Sequence, residues 1–279
     1  MPTEVSRWRM MGLRRSKIAL AIPVTFLILF VSTLGIITVT YYYSIERIDA
    51  RSVTLKNSMA EQDMSSFDDA LSSVLWQSGS SRTLQINDYG GELRVQPSTN
   101  HLLVKVTDNN NISDTVFNAT AGQVVYELPY SETADTGLFL KGDSRSIVNQ
   151  GGSGITQLYI RNGQEHVEIV LRYRLITSAV AYVNEDNTTI NDVRIYMVNL
   201  SSSQDIESNG EVPLVISCVN VESNVATYNV SYQTGALTVN ANLDGVQGQV
   251  SIPISGSSSG AVVNLELIVC DVKIERWIR

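Results

Sequence analysis

Cysteine and histidine are nearly missing from this chain, whose 279 residues hold two of each. That excludes a disulfide-dense scaffold, zinc fingers and any iron–sulfur cluster held by four cysteines. Charge is also sparse: 17% of residues against the usual quarter, with a net charge of −8 that argues against general nucleic-acid binding. Low charge does not mean disorder here, because 43% of residues are apolar and the mean hydropathy is near zero. The composition is globular, with enough chain for two modest domains.

The charge is unevenly spread. Residues 1–17 carry Arg7, Arg9, Arg14, Arg15 and Lys17 against Glu4 alone, so this leader is basic and the remainder strongly acidic. Between them lies Ile18–Val39, 22 residues without a charge, of which 14 are Leu, Ile, Val or Phe. As a helix this run is about 33 Å long, enough for a bilayer core. Its large apolar residues favour insertion by about 4–8 kcal/mol before the polar ones are counted. A secretory signal peptide would have a shorter apolar core ending in small residues. This run ends in Thr40-Tyr41-Tyr42-Tyr43 instead, an aromatic belt. A transmembrane helix over 18–40 is therefore expected, with the basic leader in the cytoplasm and the rest outside the cell.

Two further features fit an outside address. Five N-x-S/T sequons, at Asn111, Asn118, Asn187, Asn199 and Asn229, all follow the apolar run. Cys218 and Cys270 both sit in strand-like runs, where they are placed either to pair across neighbouring strands or to remain two buried free thiols.

Beyond the tyrosines, apolar residues at Ile45, Ile48, Leu55, Met59, Phe67, Leu71 and Val74 follow a helical period. Neither Gly nor Pro occurs from Thr40 to Ser78. One helix reaching about Trp76 and broken by Gly79 is expected, with Phe67, Leu71 and Val74 docked on the first sheet. From Arg82 the period becomes two. Expected strands are 83–87, 92–96, 102–107, 123–128, 156–160, 167–175, 193–198, 213–219, 226–232, 237–242, 247–252 and 262–274. In the last, apolar alternation changes phase between Leu267 and Cys270, which predicts a bulge or a strand buried on both sides. The fold class is thus mainly β with one long N-terminal helix, transmembrane and then amphipathic. An antiparallel, β-sandwich-like ectodomain of two lobes follows. The expected divisions are a leader over 1–17, the transmembrane helix over 18–40, an amphipathic stalk over 41–78, and lobes over 79–175 and 176–279.

No constellation for catalysis stands out. Gly256-Ser-Ser-Ser-Gly260 fits G-x-S-x-G literally, but both histidines, His101 and His166, precede it and no helix should follow. The oxygen-rich loops 108–114 and 184–192 lack EF-hand spacing and read as solvated turns. No catalytic residue, cofactor or metal ligand is assigned, and an enzyme is not expected.

The layout of basic leader, apolar helix, amphipathic continuation and β-rich head resembles type IV pilins, and more closely archaeal surface proteins with a pilin-like N-terminal segment. The stretches that carry the resemblance are Phe67-Asp-Asp-Ala-Leu71-Ser-Ser-Val-Leu75, Gly90-Gly91-Glu-Leu-Arg-Val95, Ile169-Val-Leu-Arg-Tyr-Arg174, Val250-Ser-Ile-Pro-Ile254 and Val262-Val-Asn-Leu-Glu-Leu-Ile-Val-Cys270. The resemblance implies cleavage by a prepilin peptidase, at Ser16/Lys17 or after Gly12. Helices so released would associate with lipid, with copies of this chain or with other pilin-like subunits. The alternative is a permanently anchored single-pass protein whose β head binds a cell-envelope partner or glycan. That reading is favoured by Lys17 at the helix start and by Ala21, where an acid is missing.

Overall fold

The computed structural model describes residues 17–108, 112–129, 136–150, 154–163, 166–230, 235–256 and 260–277. Among the described residues there is one helix, α1, which spans Lys17–Ser72. It crosses the boundary between two compact units, which falls between Val53 and Thr54. The strands that follow are β1 (Ser81–Ile86), β2 (Glu92–Gln96), β3 (His101–Thr107), β4 (Ser113–Thr120), β5 (Gln123–Pro129), β6 (Phe139–Lys141), β7 (Ile147–Asn149) and β8 (Thr156–Asn162). They continue as β9 (His166–Tyr173), β10 (Leu175–Val183), β11 (Thr189–Asn199), β12 (Ile206–Asn209), β13 (Val212–Val230), β14 (Ala236–Leu243), β15 (Val246–Pro253) and β16 (Ala261–Arg276).

In the second unit, the strands of the described residues form three sheets. The first has the order β1-β13-β16-β11-β10-β7, the second β12-β2-β5-β9-β8-β6, and the third β15-β14-β3-β4. The ladders are antiparallel except two: β11 beside β16 and β10 beside β7 are parallel. The mainly β, sandwich-like class is as the sequence implies. The division into lobes at residues 175–176 is not. β1 pairs with β13, β12 with β2 and β14 with β3, so every sheet takes strands from both sides of that point.

Two hydrophobic cores nevertheless exist, and both are built on the first sheet. One holds Leu214, Ile216, Cys218, Cys270, Val272 and Ile274 together with the second sheet and the end of α1. The other holds Val193, Ile195, Val263, Leu265 and Leu267 together with the third sheet. Along β16, burial alternates through Leu267 and resumes at Cys270, so the buried side chains change face there. The parallel neighbour β11 changes at the same level, from Met197 in one core to Val198 in the other. On β13 the ladder is interrupted between Cys218 and Asn220, leaving Val219 as the extra residue of a bulge. The bulge that the sequence pattern anticipates therefore lies on the partner strand. β13 runs unbroken where two strands are expected. Its middle, Glu222–Val225, lies where neither core covers the sheet, and those side chains stay exposed while the backbone keeps its ladder with β16.

The docked face of α1 is Ala60, Met64, Phe67, Leu71 and, just past the helix, Val74, at spacings of four and three. Phe67 and Leu71 are completely buried, whereas Leu55 is 61% exposed. The amphipathic stalk expected over 41–78 is thus partly core: its last turns belong to the head. α1 stops because Trp76 takes a φ of 66° and Gly79 one of 82°. A bulky residue at positive φ costs about 1–3 kcal/mol, and its surroundings must hold it there. The Trp76 N–H donates to Cys270 Sγ (3.5 Å), and its ring stands edge-on to Tyr196 at 5.5 Å.

Phe67→Ala should lower the unfolding free energy by about 3–5 kcal/mol. Leu55→Ala, on an exposed turn of the same helix, should change it by no more than about 0.5 kcal/mol. Denaturant titration of both variants in the same detergent checks this contrast.

Candidate functional site

The feature of α1 that calls for a function is its apolar stretch. Val24, Phe26 to Val31, Leu34, Ile36, Ile37 and Val39 are each between 48% and 72% exposed, around the whole circumference of the helix. Two threonine hydroxyls within it are bonded back onto the helix backbone. Thr33 Oγ1 donates to Leu29 O and Thr38 Oγ1 to Leu34 O, both at 2.8 Å. These two hydroxyls need no partner outside the helix, which suits residence in hydrocarbon or among other apolar helices. Pro23 removes one N–H near the start of the helix, where the loss is smallest. This is a helix long and apolar enough to cross a membrane. Of the expected processing site, Lys17 opens α1, and no acid occupies the first turn; Ser16 lies outside the described residues.

The far end of the same helix is fixed by an ion. Asp68 is only 3% exposed, and its carboxylate accepts from three different strands. Thr156 Oγ1 of β8 donates to Oδ1 (2.8 Å), Tyr173 OH of β9 to Oδ1 (3.0 Å), and Lys141 Nζ of β6 to Oδ2 (2.9 Å). Lys141 also reaches Asp69 Oδ1 (2.7 Å) and the Ser65 carbonyl (3.3 Å). Gly142 brings Lys141 into place. With φ of +75° and the Thr156 carbonyl 2.2 Å from where a Cβ would stand, no side chain is tolerated there. Burial alone would lower the Lys141 pKa, but its hydrogen bonds to Asp69 and Asp68 outweigh this and raise it. Tyr173 is pushed well above its ordinary value, first by burial and then by the Asp68 charge.

A second ion cluster lies on the second sheet. His166 Nε2 is 2.8 Å from Glu168 Oε1 and 3.8 Å from Glu127 Oε1, so three potential metal ligands converge. Each carboxylate already has a cation, however: Arg94 NH1 lies 2.9 Å from Glu127, and Arg161 is hydrogen-bonded to Glu168. Burial would raise the Glu168 pKa, yet Arg161 and His166 together bring it below the usual range. The charges are mutually neutralised, and the cluster reads as a cross-strand ion-pair network. His101, the other histidine, opens β3 on an exposed position.

The remaining sequence candidates are placed as follows. Asn118, Asn187 and Asn229 are exposed, on β4, a turn and β13 respectively. Asn199 is half-buried, with its Nδ2 donating to Asp271 Oδ1 at 2.7 Å and its Oδ1 accepting from the Ser201 N–H, so that sequon is occupied by the fold. Asn111 lies outside the described residues, as do 257–259 of the Gly/Ser loop. The two oxygen-rich loops use their first side chains in turns: Asp108 Oδ1 accepts from the Ile112 N–H and Asn184 Oδ1 from the Thr188 N–H. Cys218 and Cys270 are free thiols in contact, both buried.

Asp68→Asn should destabilise the head by about 3 kcal/mol, because it removes the buried negative charge that balances the Lys141 ammonium. Asp69→Asn, at an exposed side chain, should cost less than about 1 kcal/mol. The signs of the pKa shifts add a pH dependence. Lys141 and Tyr173 both hold their protons more tightly when folded, so their contribution is complete below about pH 10 and is lost as pH rises beyond it. Unfolding curves between pH 7 and 11 should show this loss in the native protein and less of it in Asp68→Asn.

Comparison of the chain with protein-family models, curated proteins and solved structures gave no match.

Proposed function

We propose that this chain is a pilin-like structural subunit, non-enzymatic, anchored in a membrane by α1 with its basic leader in the cytoplasm and its β head outside the cell. It assembles through the apolar part of α1, with copies of itself or with related subunits. The single observation that carries this reading is that α1 is apolar on all sides from Val24 to Val39 while its last turns are core residues of the head. An all-round apolar surface must be covered by lipid or by other apolar helices. Because Asp68, Phe67 and Leu71 build the same helix into the head, whatever holds the apolar stretch also holds the β domain. Hydroxyls turned back onto the helix, and three tyrosines where the apolar run ends, agree with passage through a bilayer.

The second reading, a permanently anchored protein whose head binds an envelope partner or glycan, has one structural feature in its favour. The outer face of the third sheet carries a cavity of about 390 Å³ lined by Lys105, Asn240, Asn242, Gln247 and Gln249. Side-chain amides both donate and accept, as recognition of hydroxyl groups requires. Lys17 at the start of α1, with no acid in the first turn, also sits better with an anchor that stays put than with a freed helix.

Detergent removal from the purified full-length protein separates these readings. The first predicts fibres or discrete oligomers, lost in Phe30→Lys while the head still unfolds cooperatively. Monodisperse, vesicle-bound wild-type protein indistinguishable from Phe30→Lys would overturn it.

A further inference from the structure

The chain has only two cysteines, separated by 52 residues, and their sulfurs lie 3.5 Å apart. A buried residue touches about 6–12 others, so two positions drawn at random from a chain of this length would meet roughly once in 20 to 50. Both are almost fully buried, and they sit on adjacent antiparallel strands, where Cys218 faces Val272 and Cys270 faces Val221. We propose that Cys218 and Cys270 close to a disulfide in an oxidising medium, welding β13 to β16 beneath the turn that leads out of α1. The expectation that such a medium is met in the cell rests on the outside placement of the head proposed above.

The location gives the bond a purpose. Gly79 N–H donates to the Cys218 carbonyl (2.8 Å), Cys218 N–H donates to the Ser80 carbonyl (3.0 Å), and Trp76 N–H donates to Cys270 Sγ. The chain leaving α1 thus engages the first sheet at both cysteines. The Val219 bulge interrupts the ladder between β13 and β16 at this level, and the buried face of β16 changes there as well. Backbone pairing is weakest where the helix hands its load to the sheet, and a covalent bond would reinforce that place. A disulfide needs sulfurs about 2.05 Å apart, so the two must approach by about 1.5 Å.

The chemistry needs a disulfide-bearing oxidant, R–S–S–R. One cysteine thiolate attacks it and expels RS⁻, giving a mixed disulfide. The second thiolate attacks the protein sulfur of that intermediate, forming the Cys218–Cys270 bond and expelling a second RS⁻. The two thiol protons finish on the two RSH products. Two electrons pass to the oxidant, and the protein becomes lighter by about 2 Da. In the folded head, burial pushes the Cys270 thiol up to about 12, its sulfur accepts the Trp76 N–H, and both thiols are buried. The bond therefore forms during folding, before Trp76 settles over it, and resists reduction afterwards.

The test refolds the reduced full-length chain in detergent with a mixture of reduced and oxidised glutathione. In parallel, protein from native membranes is trapped by alkylation. In the refolded wild type, neither cysteine should alkylate after denaturation, and the mass should fall by about 2 Da. Its Tm should drop by roughly 5–15 °C when the bond is reduced, whereas Cys218→Ala/Cys270→Ala should not respond to reductant. Two alkylatable thiols after oxidative refolding, or a wild-type Tm indifferent to reduction, would overturn the proposal. A bond in refolded protein but free thiols in protein from membranes would uphold the pair and overturn the outside placement.

Discussion

Asp68 is a charge taken almost entirely out of water at the place where α1 becomes part of the head. Burying a carboxylate without partners is prohibitive, and three donors from β6, β8 and β9 are what make it tolerable. The arrangement is specific rather than merely adhesive. A slide of α1 by one turn would still bring apolar side chains such as Ala60 and Met64 against the core, but it would carry the carboxylate away from its three donors. The ion thus fixes the register of the helix on the second sheet, while Met64, Phe67 and Leu71 bury apolar surface beside it. Removing the ion and removing the aromatic ring damage different things: one loses uniqueness of docking, the other contact area.

From that docking point the architecture follows through the first sheet. β13 and β16 are long enough to serve two cores, and they do so by presenting opposite faces at their two ends. On β13 the change coincides with one extra residue relative to β16, and Val219 is that residue. It falls next to Cys218 and opposite the stretch that holds Cys270. The helix terminus, the bulge and the two thiols therefore meet in one small region, where the helical and sheet parts of the molecule are joined.

Much of this was legible in the sequence because it is periodic. The helical spacing of Phe67, Leu71 and Val74 announced the docked stripe, and the phase change between Leu267 and Cys270 announced the irregularity in the last ladder. What stayed hidden is non-local. Asp68 sits beside Asp69 on a helix rich in polar residues, and nothing nearby distinguishes the buried acid from the exposed one. Its partners lie between 73 and 105 residues away. The division at residues 175–176 failed for the same reason: strands adjacent in sequence were assigned to one lobe, whereas β1 finds its partner in β13. Asn199 looks like any other sequon until Asp271 is seen to hold its amide. Short edge strands such as β6, β7 and β12 carry too few residues for an alternation to show.

On the proposed function, α1 is held first by lipid and then by neighbouring helices. Intact mass and N-terminal sequencing of the protein recovered from native membranes test this most directly. A chain beginning at Lys17, or at Leu13, is the result the account predicts, since removal of the basic leader frees the helix to leave the bilayer and assemble. A chain beginning at Met1 or Pro2 would contradict it, leaving a permanent anchor and moving the function to what the β head binds.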